Sequence, residues 1–151
     1  MVVKFKSGEK MTILKVGNAY PNCVKEHVEV INQTGKCWMA RLGKDVASQP
    51  MMNPQGYFVL YDKGTVYLSH YSEKLHEKPE NNYPPNYDRL FYKRNVEPYE
   101  YLLIDKITEI DGTILNELKY AGNQRTVSET ISITPKGYMS VFFTKDFQIN
   151  I

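Results

Sequence analysis

The chain has 151 residues and a mass of 17.6 kDa, enough for one domain that buries about 70% of its unfolded surface without a disulfide or metal to staple it. With 42% hydrophobic and 24% charged residues it lies outside the disordered class, and no apolar run approaches the ~20 residues that span a bilayer. Nineteen basic against seventeen acidic residues give a net charge of +2, too weak to mark a nucleic-acid binder and contrary to an acidic DNA mimic.

Met1 to Lys10 lacks the apolar stretch of a secretory leader, so a cytoplasmic chain with no membrane association is expected. Met11–Val16 reads as the first strand, opened by the turn-like Ser7-Gly8-Glu9. Four glycine-bearing reversals follow. Asn32-Gln33-Thr34-Gly35 separates His27–Ile31 from Cys37–Leu42. Asp62-Lys63-Gly64 separates Tyr57–Tyr61 from Thr65–Tyr71. Asp111-Gly112 separates Leu102–Ile110 from Thr113–Tyr120, and Pro135-Lys136-Gly137 separates Val127–Thr134 from Tyr138–Thr144. Glycine tolerates the positive φ that tight hairpins require. Alternation supports the flanking strands: Val127, Glu129, Ile131 and Ile133 fall between Ser128, Thr130, Ser132 and Thr134.

These signals predict a mainly β fold, an antiparallel barrel or sandwich built from hairpins, with one or two short helices. Two stretches break the pattern. Glu73–Asp88 is polar and proline-rich and reads as a long loop within a single domain over residues 1–151. Asn86 is placed to cap a short helix at Tyr87–Arg94. In Pro98–Gly122 the residues Leu103, Ile107, Ile110, Ile114 and Leu118 recur at helical spacing. The mid-stretch Asp111-Gly112 favours a hairpin there; a helix would make the fold α+β.

Cys23 and Cys37 are too few for a disulfide scaffold or a four-cysteine zinc site. A hairpin at Asn32–Gly35 would set Cys37 opposite Val30, so free thiols are expected. The phosphate-loop, dinucleotide, zinc-protease and nucleophile-elbow spacings are all absent from the sequence, and no cofactor is expected. His70 and Ser72 share one face of a strand. Two such histidine strands can cleave a phosphodiester, one imidazole acting as base and the other as acid. The available partner, His27-Val28-Glu29, carries a carboxylate where a hydroxyl is wanted. His70 with His76 lacks a third metal ligand at supporting spacing. Asp105, Glu109 and Asp111 offer carboxylate pairs that read more simply as solvated rim residues.

Aromatic and basic residues interleave most densely at Tyr83, Tyr87, Arg89, Phe91, Tyr92, Lys93, Arg94, Tyr99 and Tyr101. Rings and cations of this kind form the energetic centres of protein interfaces and can also stack on bases and track phosphates. Asp88, Glu97 and Glu100 offset the charge, which favours a protein partner over nucleic acid. Trp38, beside Arg41, reads as core. The run Phe5-Lys6-Ser7-Gly8-Glu9-Lys10-Met11 resembles how small SH3-like barrels begin, a resemblance that carries no function. The expected function is therefore non-enzymatic binding of a protein, as a small inhibitor or adaptor of the kind a virus or mobile element encodes. The alternatives are a nucleic-acid module, a phosphodiesterase using His70, and a barrel enclosing a small ligand.

Overall fold

The structure is a computed structural model that describes residues 1–43 and 49–151. Strand is the predominant regular structure. In chain order the elements are β1 (Val2–Phe5), β2 (Lys10–Lys15), α1 (Cys23–Thr34), β3 (Cys37–Arg41), β4 (Tyr57–Asp62), β5 (Thr65–Leu75), α2 (Tyr87–Leu90), β6 (Glu100–Ile110), β7 (Leu118–Tyr120), α3 (Val127–Thr130), β8 (Tyr138–Phe143) and β9 (Phe147–Asn150). Short 3-10 turns occupy Tyr92–Arg94 and Gly112–Glu117. β1 and β9 form an antiparallel ribbon, and the other strands form a seven-stranded sheet in the order β3-β6-β5-β4-β2-β8-β7.

The sheet is mixed, where hairpins alone would have made it antiparallel. β2 and β4 run parallel, with Ile13 opposite Val59 and Leu14 opposite Leu60. A parallel pair needs a crossover of roughly a dozen residues or more, and the segment between these strands supplies it with α1 and β3. β3 and β7 stand at opposite ends of the strand order. Among the described residues no barrel closes.

The chain divides into two compact units. The first comprises Met1–Val16, Met51–Leu68 and Thr108–Ile151, and the second Gly17–Pro50 and Ser69–Ile107. The core of the first joins Phe5, Met11, Ile13, Val59, Leu68, Leu118, Val141 and Phe143. Phe5 stacks on Phe143 with centroids 4.7 Å apart, and Tyr57 meets Phe5 edge-on at 5.7 Å. β4 is buried on both faces from Tyr57 to Tyr61, as its place among paired strands requires.

The second unit contains an aromatic cluster of Tyr87, Phe91 and Tyr101. Tyr20, Trp38, Tyr83 and Tyr92 pack against it. Here β3 pairs antiparallel with β6, from Cys37 opposite Ile104 to Arg41 opposite Glu100.

The hairpin at Asp62-Lys63-Gly64 forms as expected, joining β4 to β5. Lys63 has φ 49° and Gly64 has φ 95°, the paired positive values of a type I′ turn, whose twist matches that of the strands it joins. Gly64→Ala is expected to cost about 1 kcal/mol, because a Cβ disfavours the left-handed region. A lowered urea midpoint with an unchanged m-value checks this.

The other three expected hairpins are corrected. His27–Ile31 belongs to helix α1, so Cys37 has no opposing strand residue at Val30. Val24, His27 and Val30 turn one face of that helix inward. Gly35, at φ 88°, ends it by donating its N–H to the Ile31 carbonyl at 2.7 Å; this is a helix C-cap, which needs the same positive φ as a hairpin. Val127–Thr134 holds helix α3 in place of a strand. Val127 and Ile131 are buried four residues apart while Ile133 is 78% exposed, so helical spacing overrides the alternation. Lys15 donates to the carbonyls of Ile131 and Thr134, each at 2.8 Å, which satisfies groups left open where the helix ends.

In Pro98–Gly122 neither the long helix nor the Asp111-Gly112 hairpin forms. β6 runs to Ile110, and the Asp111 carboxylate accepts from the Thr113 N–H at 2.9 Å to start a 3-10 turn. β7 then pairs with β8, not with β6. No helix among the described residues is long and apolar enough to cross a membrane.

Candidate functional site

The site lies wholly within the second unit and is built outward from Tyr87. This residue opens α2 and is 1% exposed. Its hydroxyl accepts from the Ala40 N–H of β3 at 2.9 Å and lies 2.6 Å from His27 Nε2. The hydroxyl has one proton. The Cys23 carbonyl, 2.6 Å from Nδ1, can only accept, so the imidazole proton sits on Nδ1 and the Tyr87 hydroxyl proton goes to Nε2. One chain of hydrogen bonds thus joins α1, α2 and β3.

Burial holds His27 down at about 4, against a weaker upward effect of the Cys23 carbonyl, and it holds the Tyr87 phenol well above the usual tyrosine range. Both are neutral at physiological pH. Tyr87 is accordingly not a surface contact, and His27 is not a strand residue able to face a phosphate. The two-histidine phosphodiesterase arrangement is not assembled from His70 and His27.

Cys23 Sγ lies 3.7 Å from His27 Nδ1 at the first turn of α1. That nitrogen carries the proton given to the Cys23 carbonyl, so it cannot deprotonate the thiol. Neither cysteine is in a disulfide; Cys37 is buried, and its thiol is pushed up to about 12 by desolvation. Among the described residues no cluster of histidine, cysteine and carboxylate groups could hold a metal.

Around Tyr87 the other aromatics are fixed by ring contacts. Phe91 meets it at 4.9 Å and 60°, and Tyr83 stacks on it at 5.9 Å and 12°. Tyr92 stands 5.7 Å from Tyr83 at 80°. The Tyr92 and Tyr101 hydroxyls share a hydrogen bond of 2.7 Å. Tyr101 is 1% exposed and forms part of the floor. Tyr83 and Tyr92 are half-buried.

Arg89, Lys93 and Arg94 are exposed on α2 and the following 3-10 turn. Asn86 precedes α2 as expected, but its side chain caps no backbone N–H; instead it accepts from Arg89 Nε at 2.8 Å. Tyr99 is half-buried, with its ring 5.6 Å from His76, whose Nδ1 lies 3.4 Å from the Tyr99 carbonyl. Three contributors had no local signal in the sequence. Tyr20 anchors α1 by donating to Glu26 at 2.8 Å. Trp38 packs half-buried against the cluster. Lys78 places its ammonium over the Tyr92 ring.

His70 lies apart on β5 and bonds Asp105 of β6 through Nδ1 at 2.9 Å. Asp105, expected among the rim carboxylates, thus orients an imidazole. Ser72 follows on the same strand and is exposed.

The observed arrangement is a packed aromatic cluster in a stretch that also exposes the bases Arg89, Lys93 and Arg94 and the acids Asp88 and Glu97. Its buried floor consists of Tyr87, Phe91 and Tyr101, and its half-buried walls are Tyr83 and Tyr92. No family model, curated protein or solved structure matches the chain.

Proposed function

We propose that the chain is a recognition protein that binds another protein through the Tyr83–Tyr92 face, acting as a small inhibitor or adaptor. The observation that carries this reading is the pair of half-buried tyrosines, their rings at 80°, packed against a buried aromatic cluster in a stretch that also exposes Arg89, Lys93 and Arg94. Tyrosine rings locked by packing offer contact area at low entropic cost on binding, and tyrosine and arginine dominate interface hot spots. The stretch carries acids as well as bases, Asp88 and Glu97 being exposed in it too. Mixed charge of this kind suits a protein surface better than a phosphate backbone.

The test is co-purification with the intact protein beside a Tyr83→Ala/Tyr92→Ala variant whose melting curve shows that it is folded. Once a partner is identified, the double variant is expected to weaken it by about thirtyfold or more, the scale of losing one hot spot. Equal binding by both proteins removes the reading. Retention on single-stranded DNA that collapses with added salt would establish the nucleic-acid alternative instead.

A further inference from the structure

Lys78 stands in the polar loop that precedes α2, and its side chain is exposed. Its ammonium lies 4.1 Å from the centre of the Tyr92 ring and 5.9 Å from that of Tyr83. Since the two rings stand at 80° to each other, the cation fills a corner between orthogonal aromatic walls. Aromatic faces carry the negative lobe of the ring quadrupole and attract ammonium and guanidinium groups.

Both walls are held in place. Tyr92 is tied by its hydroxyl to Tyr101 at 2.7 Å. Tyr83 is stacked on Tyr87, whose own hydroxyl is engaged by Ala40 and His27. Lys78 itself reaches the corner on a flexible four-carbon stem from an exposed loop position. Such an occupant can be exchanged.

The geometry points to a cation-binding corner between Tyr83 and Tyr92 that accepts the basic side chain of a protein partner, with Lys78 as the resident occupant that the partner displaces. This rests on the reading of the same face as a protein-binding surface, and it names what the partner must offer: an exposed lysine, methylated lysine or arginine. A corner with two walls, open to solvent, suits a group carried on a larger surface. A small free amine is better held by a site that closes around it.

The probe is tetramethylammonium, titrated into the full chain at constant ionic strength while the ring protons of Tyr83 and Tyr92 are followed by NMR. Lys78→Ala opens the corner, and binding is expected to tighten about fivefold over the parent, the scale of one exposed cation–π contact. Tyr92→Phe in that background keeps the ring and keeps the binding, whereas Tyr92→Leu loses it. Neopentyl alcohol, a neutral analogue of similar bulk, is expected to bind more weakly than the cation. A peptide with one trimethyllysine is expected to compete.

Unshifted ring signals in Lys78→Ala overturn the proposal, as does equal binding of the neutral analogue. If Tyr92→Leu does not fold, Tyr83→Leu provides the same loss. Binding of the free ion without competition by the peptide would overturn the assignment of a protein partner. Failure here with partner capture still sensitive to Tyr83 and Tyr92 leaves the recognition face standing, so the two readings fail separately.

Discussion

Glu100→Leu is expected to destabilise the second unit by about 3–5 kcal/mol, the cost of leaving one member of a buried ion pair without its partner. Arg41 and Glu100 face each other across the β3–β6 ladder with Nη1 and Oε2 2.6 Å apart, and their side chains are 4% and 6% exposed. Arg41 also donates to the Gln49 carbonyl at 3.2 Å. Removing the carboxylate takes the Glu100 partner from a buried guanidinium that cannot shed its proton. The destabilisation therefore comes from the residue left behind more than from the bond lost.

The double variant Arg41→Met/Glu100→Leu tests that account. Exchanging both charges for apolar groups of similar volume removes the desolvation cost with the attraction, and stability is expected to return close to that of the parent or above it. Urea unfolding followed by the single tryptophan, Trp38 on β3, reports on this unit. A double variant as unstable as the single one would show that the pair contributes more than its mutual neutralisation. Tyr71 gives a second readout. Burial raises its pKa first, Glu100 raises it further and Arg41 opposes them; with Glu100 gone and Arg41 kept, it is expected to fall.

Local rules were enough wherever a segment's partner was close in sequence. Lys63-Gly64 makes a two-residue reversal between β-branched and aromatic runs, and β4 and β5 follow directly. β2, β3 and β8 are legible as strands from their own apolar runs, although their partners lie far along the chain. Gly35 was ambiguous because a left-handed glycine ends a helix as readily as it turns a hairpin; Val24, His27 and Val30 at spacing three decide for the helix. Around Ile131 the polar and apolar residues alternate as a strand would, yet the buried pair Val127 and Ile131 sits one helical turn apart. The parallel pairing of β2 with β4 leaves no local trace, since it depends on where a crossover of some forty residues returns the chain.

The candidate site divides along the same line. Tyr83, Arg89, Tyr92, Lys93 and Arg94 stand out by composition alone. Tyr87 looks identical to them in sequence but is buried, because its hydroxyl meets His27, sixty residues earlier. Lys78 was invisible because its ring partner lies fourteen residues on, past three prolines, and no periodicity links them.

Acidification from pH 6.5 to 4 is expected to remove about 3 kcal/mol of stability through His27 alone. In the unfolded chain the imidazole titrates near 6.5, and in the fold burial lowers this to about 4. Between these values the unfolded chain holds a proton that the folded chain refuses, so falling pH favours unfolding. The contribution is complete above 6.5 and is lost progressively toward 4. At about 1.4 kcal/mol per pH unit the full displacement is worth about 3.5 kcal/mol, of which about 3 is lost by pH 4. Burial is the main reason the fold refuses the proton, and the bond to Tyr87 works the same way. Nε2 already accepts the Tyr87 hydroxyl proton, and that hydroxyl already accepts from Ala40. A proton on Nε2 would leave the Tyr87 hydroxyl proton without its acceptor in a buried space. Carboxylates titrate in the same range, so the measurement is a difference between the parent and His27→Gln, which cannot ionise. The parent is expected to lose stability more steeply between pH 6.5 and 4, with the two curves parallel above 7. Parallel curves throughout would mean that His27 accepts its proton in the folded state, and that the ties joining α1, α2 and β3 tolerate the charge.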